Sequence, residues 1–90
     1  MTPITRKLIF RELTLSKRFH FMDYIRSQNF KEVVGGDHNT LLLQFTSMEH
    51  ANYFMEVLYK QMKRVRGIFS EFDKEGNLKL RIKTKQDAYL

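Results

Sequence analysis

Three cations alternate with three aliphatic residues along Leu78-Lys79-Leu80-Arg81-Ile82-Lys83. In extended backbone, successive side chains leave on opposite faces. The spacing therefore predicts a strand with Leu78, Leu80 and Ile82 in a core and Lys79, Arg81 and Lys83 on a cationic face. Cations repeating every roughly 6.5–7 Å along a strand approximate the spacing of phosphates in an extended single-stranded nucleic acid. The chemistry indicated is charge-driven binding of a polyanion, with Arg11 and Lys85 as extensions of the strip. The competing reading is a solvated face whose Lys and Arg protect a sheet edge from aggregation.

Other residue types capable of chemistry give weaker patterns. Lys60, Lys63, Arg64 and Arg66 cluster where a long helix should end, a place where cations complement the helix dipole with or without a ligand. If the ladder binds nucleic acid, this cluster is placed to hold flanking backbone. Gly35-Gly36-Asp37-His38-Asn39 has the composition of an anion-binding nest, but turn formation alone explains its glycines. His20, His38 and His50 have no second acid, nucleophile or metal-ligand partner at a diagnostic spacing. A non-enzymatic protein is expected, without metal or cofactor, and a metal-free ribonuclease is the remaining enzymatic alternative.

Composition sets the frame. The 90 residues carry 16 Lys or Arg against 10 Asp or Glu, a net charge of +6, and no Cys. Residues 60–90 hold nine Lys or Arg and four Asp or Glu, giving +5, while residues 1–59 hold seven and six, giving +1. A C-terminal excess of this kind suggests an anionic partner. The absence of Cys removes disulfides and thiolate sites and fits a reducing compartment, so the cytoplasm is the expected location. Arg6, Lys7, Arg11 and Glu12 leave no apolar core for a secretory signal near the N-terminus. No apolar run approaches the roughly 20 residues of a membrane-spanning helix.

The elements that must position these residues follow from periodicity. Residues 5–13 alternate as a strand, and residues 15–28 shift to a helical period with Leu15, Phe19, Met22 and Ile25 on one arc and Phe21 at its margin. Two strands are predicted at 30–34 and 39–45, joined as an antiparallel hairpin by the glycine-containing turn. Thr46-Ser47-Met48-Glu49 has the form of a capping box. It opens a helix to about Arg66, whose apolar stripe is Met48, Ala51, Met55, Leu58, Met62 and Val65. Strands at 68–72 and 78–84 flank the turn Asp73-Lys74-Glu75-Gly76, and residues 86–90 are expected to be a flexible tail. Tyr53 and Val57 share a helix face away from the stripe, marking a candidate partner interface.

This order predicts a single α+β domain over residues 1–90. The expected fold is ferredoxin-like, βαββαβ with an additional C-terminal strand, in which an antiparallel sheet carries both helices on one face. Leu8, Phe10, Leu41, Leu43, Phe45, Leu78, Leu80 and Ile82 should turn toward the helices. Ile9, Arg11, Thr40, Leu42, Gln44, Lys79, Arg81 and Lys83 should lie on the open face.

Lys7-Leu8-Ile9-Phe10-Arg11-Glu12-Leu13 resembles the first-strand motif of RNA recognition motif domains. Residues 39–45 followed by Thr46-Ser47-Met48-Glu49-His50-Ala51 resemble their third strand and second helix. The resemblance implies RNA binding on the open sheet face. Where that family places stacking aromatics, this sequence has Ile9, Thr40 and Leu42, so the binding implied is led by backbone charge with modest sequence preference. The expected partner is RNA or another single-stranded nucleic acid. The alternative is a protein-interaction module acting as a homodimer or regulating an acidic protein partner.

Overall fold

A computed structural model describes residues 2–89 of the chain, excepting the side chains of Ala88 and Tyr89. Its elements in order are β1 (Ile4–Glu12), α1 (Leu15–Ser27), β2 (Val33–Gly36), β3 (Thr40–Phe45), α2 (Met48–Met62), β4 (Ile68–Phe72), β5 (Leu78–Ile82) and a closing 3-10 turn (Gln86–Tyr89). The fold is α+β, with two helices and one five-stranded sheet in the order β2-β3-β1-β5-β4. Buried residues of both helices join those of the strands in one hydrophobic core.

The sheet is mixed, which corrects the antiparallel expectation. β5 inserts between β1 and β4 and runs parallel to β1, while the other three pairings are antiparallel. The ferredoxin-like pattern with an added strand leaves open which strand of the C-terminal hairpin lies inside the sheet, and here it is β5. Two features favour the observed order. Leu78 and Leu80 are fully buried, so β5 gains more from an interior position than β4, which carries Ser70 and the exposed Phe72. The Lys7 amide also donates to Asn77 Oδ1 at 2.8 Å, and Asn77 in turn donates to Asp73 at 3.0 Å through its side chain. The start of β5 is thereby tied to β1.

Side-chain alternation and capping explain most local structure. Leu8 and Phe10 of β1, Leu41, Leu43 and Phe45 of β3, and Leu78 and Leu80 of β5 are all buried toward the helices. Ile82 is not: it is the last residue of β5 and is 37% exposed. α2 buries Ala51, Met55, Leu58 and Met62, but Met48 sits exposed in its first turn and Val65 lies beyond its last residue. The helix stops at Met62 rather than Arg66, and the chain turns through Gly67 at φ +81°. Ser47, not Thr46, is the N-cap, its hydroxyl accepting from the His50 amide at 3.1 Å.

α1 is rotated relative to the sequence expectation. Phe21, Met22 and Ile25 are buried, while Leu15 and Phe19 are exposed. The Phe21 ring stacks on Phe10 with centroids 6.5 Å apart, drawing a residue expected at the margin into the core. Phe30 does not begin a strand, but packs edge-on against Phe54 at 5.0 Å. β2 consequently starts later and incorporates both glycines. At Gly36, with φ +143°, an added Cβ would run into the Thr40 carbonyl oxygen, so the tight return into β3 requires glycine. No helix among the described residues is long and apolar enough to cross a membrane.

Candidate functional site

The face of the sheet opposite the helices is built by the strand register. Leu42 pairs with Lys7, Thr40 with Ile9, and Ile9 with Lys79. Lys79 pairs in turn with Glu71, and Arg81 with Phe69. Ile9, Thr40 and Leu42 form a half-buried, uncharged floor across β1 and β3. Lys7 and Arg11 flank Ile9 along β1, both are exposed, and neither forms an ion pair among the described residues.

The cations of β5 are differently situated. The β1–β5 register shifts between Ile9 and Glu12, a bulge that puts Glu12 opposite Arg81 and brings its carboxylate to 2.9 Å from Lys79 Nζ. Both side chains of that pair remain well exposed, so the pair contributes about 0–1 kcal/mol. Arg81 is held more completely. Its two terminal nitrogens donate to the two Asp87 oxygens at 2.7 and 2.8 Å, while the guanidinium lies 4.3 Å from the Phe69 ring centroid.

Asp87 also accepts from the Thr84 amide at 2.7 Å and its hydroxyl at 2.9 Å. The Arg81 hydrogen bonds lead in holding the Asp87 carboxyl far below the usual carboxylate range, and the same bonds raise Arg81. Within the expected tail, residues 86–90, Gln86–Tyr89 form a 3-10 turn from which Asp87 clasps Arg81 of β5; residue 90 lies outside the described residues.

The remaining sequence candidates occupy separate places. Lys83 and Lys85 follow β5 and are exposed, and the Lys83 amide donates to the Gly67 carbonyl at 2.8 Å. Lys60 is in the last turn of α2, Lys63 caps it with its ammonium 5.8 Å from the Tyr59 ring, and Arg64 and Arg66 lie in the turn beyond. This group belongs to the helix side of the molecule, not to the open face. Tyr53 and Val57 are both exposed on α2 and line a groove with Phe30, Phe54, Leu58 and Gln61.

The histidines do not converge. His20 lies on α1, His38 in the β2–β3 turn, and His50 in the first turn of α2. His50 Nε2 lies 2.9 Å from the Glu32 carboxylate. At Glu32, burial works to raise the carboxyl, but the hydrogen bond from His50 and the other local contacts outweigh it, giving a net lowering. In the glycine turn, the Asn39 and Thr40 amides both donate to the Asp37 carboxylate, which thus occupies the donors a nest would offer an external anion. No group of three or more His, Asp or Glu suited to a metal ion occurs among the described residues.

Three participants on the open face lay outside the sequence reading. Lys7 shares the parity of Ile9 and Arg11, so the alternation itself contained that signal. Phe69 depends on the β4–β5 register and Glu12 on the bulge, and neither leaves a local signature. No family model, curated protein or solved structure matches this chain.

Proposed function

We propose that the open sheet face binds single-stranded nucleic acid, RNA in the first instance, through its phosphate backbone. The observation that carries this reading is the uncharged floor of Ile9, Thr40 and Leu42 bordered on β1 by Lys7 and Arg11, two exposed cations without ion-pair partners among the described residues. Lys79, Lys83 and Lys85 extend the positive border along and beyond β5. Lys79 is available to a phosphate because its contact with Glu12 is solvent-exposed and exchangeable. Arg81 contributes mainly by holding the clasp, with its charge already matched by Asp87.

Bases resting on Ile9, Thr40 and Leu42 would find apolar contact but no aromatic stacking partner, so affinity is led by charge and sequence preference is modest. Four phosphate contacts, from Lys7, Arg11, Lys79 and Lys83, imply a log–log salt slope of about −3 for a single strand. Fluorescence anisotropy with a mixed-sequence RNA oligonucleotide between low and moderate salt measures it. Absence of binding at low salt rejects the reading, as does unchanged affinity in a Lys7→Glu/Arg11→Glu/Lys79→Glu variant that remains folded.

A further inference from the structure

The two edges of the sheet are built differently. β2 is four residues long, contains Gly35 and Gly36, and its register against β3 shifts between Val33 and Gly35. Short, glycine-containing and irregular edges resist pairing with another chain. β4 has none of these features. It pairs with β5 over five residues, Ile68 to Phe72, without a register shift, and contains neither Pro, Gly nor Lys.

The hydrogen-bond pattern identifies which β4 groups point outward. The Lys83 amide donates to the Gly67 carbonyl at 2.8 Å and the Asp73 amide to the Asn77 carbonyl at 3.0 Å, at the two ends of the β4–β5 ladder. Alternation between those ends directs the backbone groups of Phe69 and Glu71 toward β5. The carbonyl of Ile68 and both backbone groups of Ser70 and Phe72 therefore face away from the sheet. The Ile68 amide is engaged by the Val65 carbonyl at 3.3 Å.

We propose that β4 pairs antiparallel with β4 of a second copy of this chain, the twofold axis passing between the two Ser70 residues. The outward-facing positions 68, 70 and 72 are symmetric about residue 70, as a self-complementary contact requires. Ser70 then opposes Ser70 of the second copy and exchanges two backbone hydrogen bonds with it, while Ile68 opposes Phe72.

Two independent observations fit this axis. Ser70 is only 7% exposed, yet its hydroxyl has no hydrogen-bond partner among the described residues. The second Ser70 brings a hydroxyl to the same side of the paired strands, where rotation about χ1 lets the two bond. Charge is also complementary. On the open face Glu71 opposes Phe69 of the second copy, so one row across the junction reads Lys79, Glu71, Phe69, Arg81, with the last two from the second copy. Each carboxylate lies between cations from both chains. The pairing also covers Phe72, a residue 39% exposed whose ring packs beside Tyr59. The product is a ten-stranded sheet with two copies of the open face on one side.

Dimerisation on this edge does not depend on the ligand of the open face, and its test uses nucleic-acid-free protein. Sedimentation velocity from about 1 to 200 μM should show the mass rising from 10.9 kDa toward twice that value. Ser70→Pro deletes an outward donor while leaving the β4–β5 ladder intact, and Phe72→Lys places a solvated cation on the edge. Each should raise the dissociation constant at least tenfold. In the wild-type protein, exchange of the Ser70 and Phe72 amides should slow with concentration, while that of the β2 amides should not. A monomer throughout the range overturns the proposal, as does a dimer that survives Phe72→Lys or leaves the Ser70 and Phe72 amides unprotected.

Discussion

β1 and β5 lie side by side and parallel at the middle of the sheet, and each alternates buried apolar residues with cations on the open face. The cations of β5 are largely engaged within the chain: Arg81 is clasped by Asp87 and stacked on Phe69, and Lys79 meets Glu12. Those of β1, Lys7 and Arg11, have no ion-pair partner among the described residues. Charge written into a strand is therefore not the same as charge available to a ligand. Availability depends on where neighbouring carboxylates fall, and here a bulge and a C-terminal turn supply them.

The comparison can be broken most severely through what β5 buries. Leu80→Ala should cost about 2–5 kcal/mol, because Leu80 is fully buried in the hydrophobic core and its loss leaves a cavity there; urea denaturation measures it. On the open face, the division of labour predicts unequal effects. Lys7→Gln with Arg11→Gln should lower the magnitude of the RNA salt slope by about 1.4 at unchanged stability. Arg81→Gln should change the slope less and lower the melting temperature instead. Equal slope changes from the two strands would erase the distinction.

The clasp adds a pH signature. The Asp87 carboxyl is lowered in the folded protein, so its contribution is complete above the unfolded value of about 4 and is lost as pH falls below it toward the folded value. Asp87→Asn should therefore melt below the wild type at pH 7, and the gap should narrow on acidification from pH 4 to pH 2. Calorimetry at pH 7, 4 and 2 checks this, and a gap that widens in acid would contradict the clasp. The smallest effect should come from Glu12→Gln. Losing an exposed partner of Lys79 should shift stability by no more than about 1 kcal/mol. It should also tighten RNA binding severalfold by removing a competing carboxylate.

Much of the fold was legible because it depends on local periodicity. Alternation located β1, β3, β4 and β5, and the helical stripe of Ala51, Met55, Leu58 and Met62 located α2. The α1 arc was less legible because its apolar residues surround more than one face: Phe21 rather than Leu15 or Phe19 was drawn inward by stacking on Phe10. Phe30 has a strand former's side chain, but that side chain serves a tertiary contact with Phe54, and β2 starts only at Val33. On the candidate site, the alternation separated the floor from the core and contained Lys7. It could not reveal Asp87 as the partner of Arg81, since their pairing depends on the path of residues 83–87.

By itself, the sequence determined the class of secondary structure, the side of each central strand that would be buried and the excess of positive charge. These follow from side-chain period and composition, which operate within a few residues. The tertiary structure decided that β5 would separate β1 from β4, that a bulge would bring Glu12 to Lys79, and that Asp87 would close on Arg81. Those outcomes depend on competition between strands for the sheet interior and on charges meeting across the fold, and pairing between distant segments is not encoded in the period of either one.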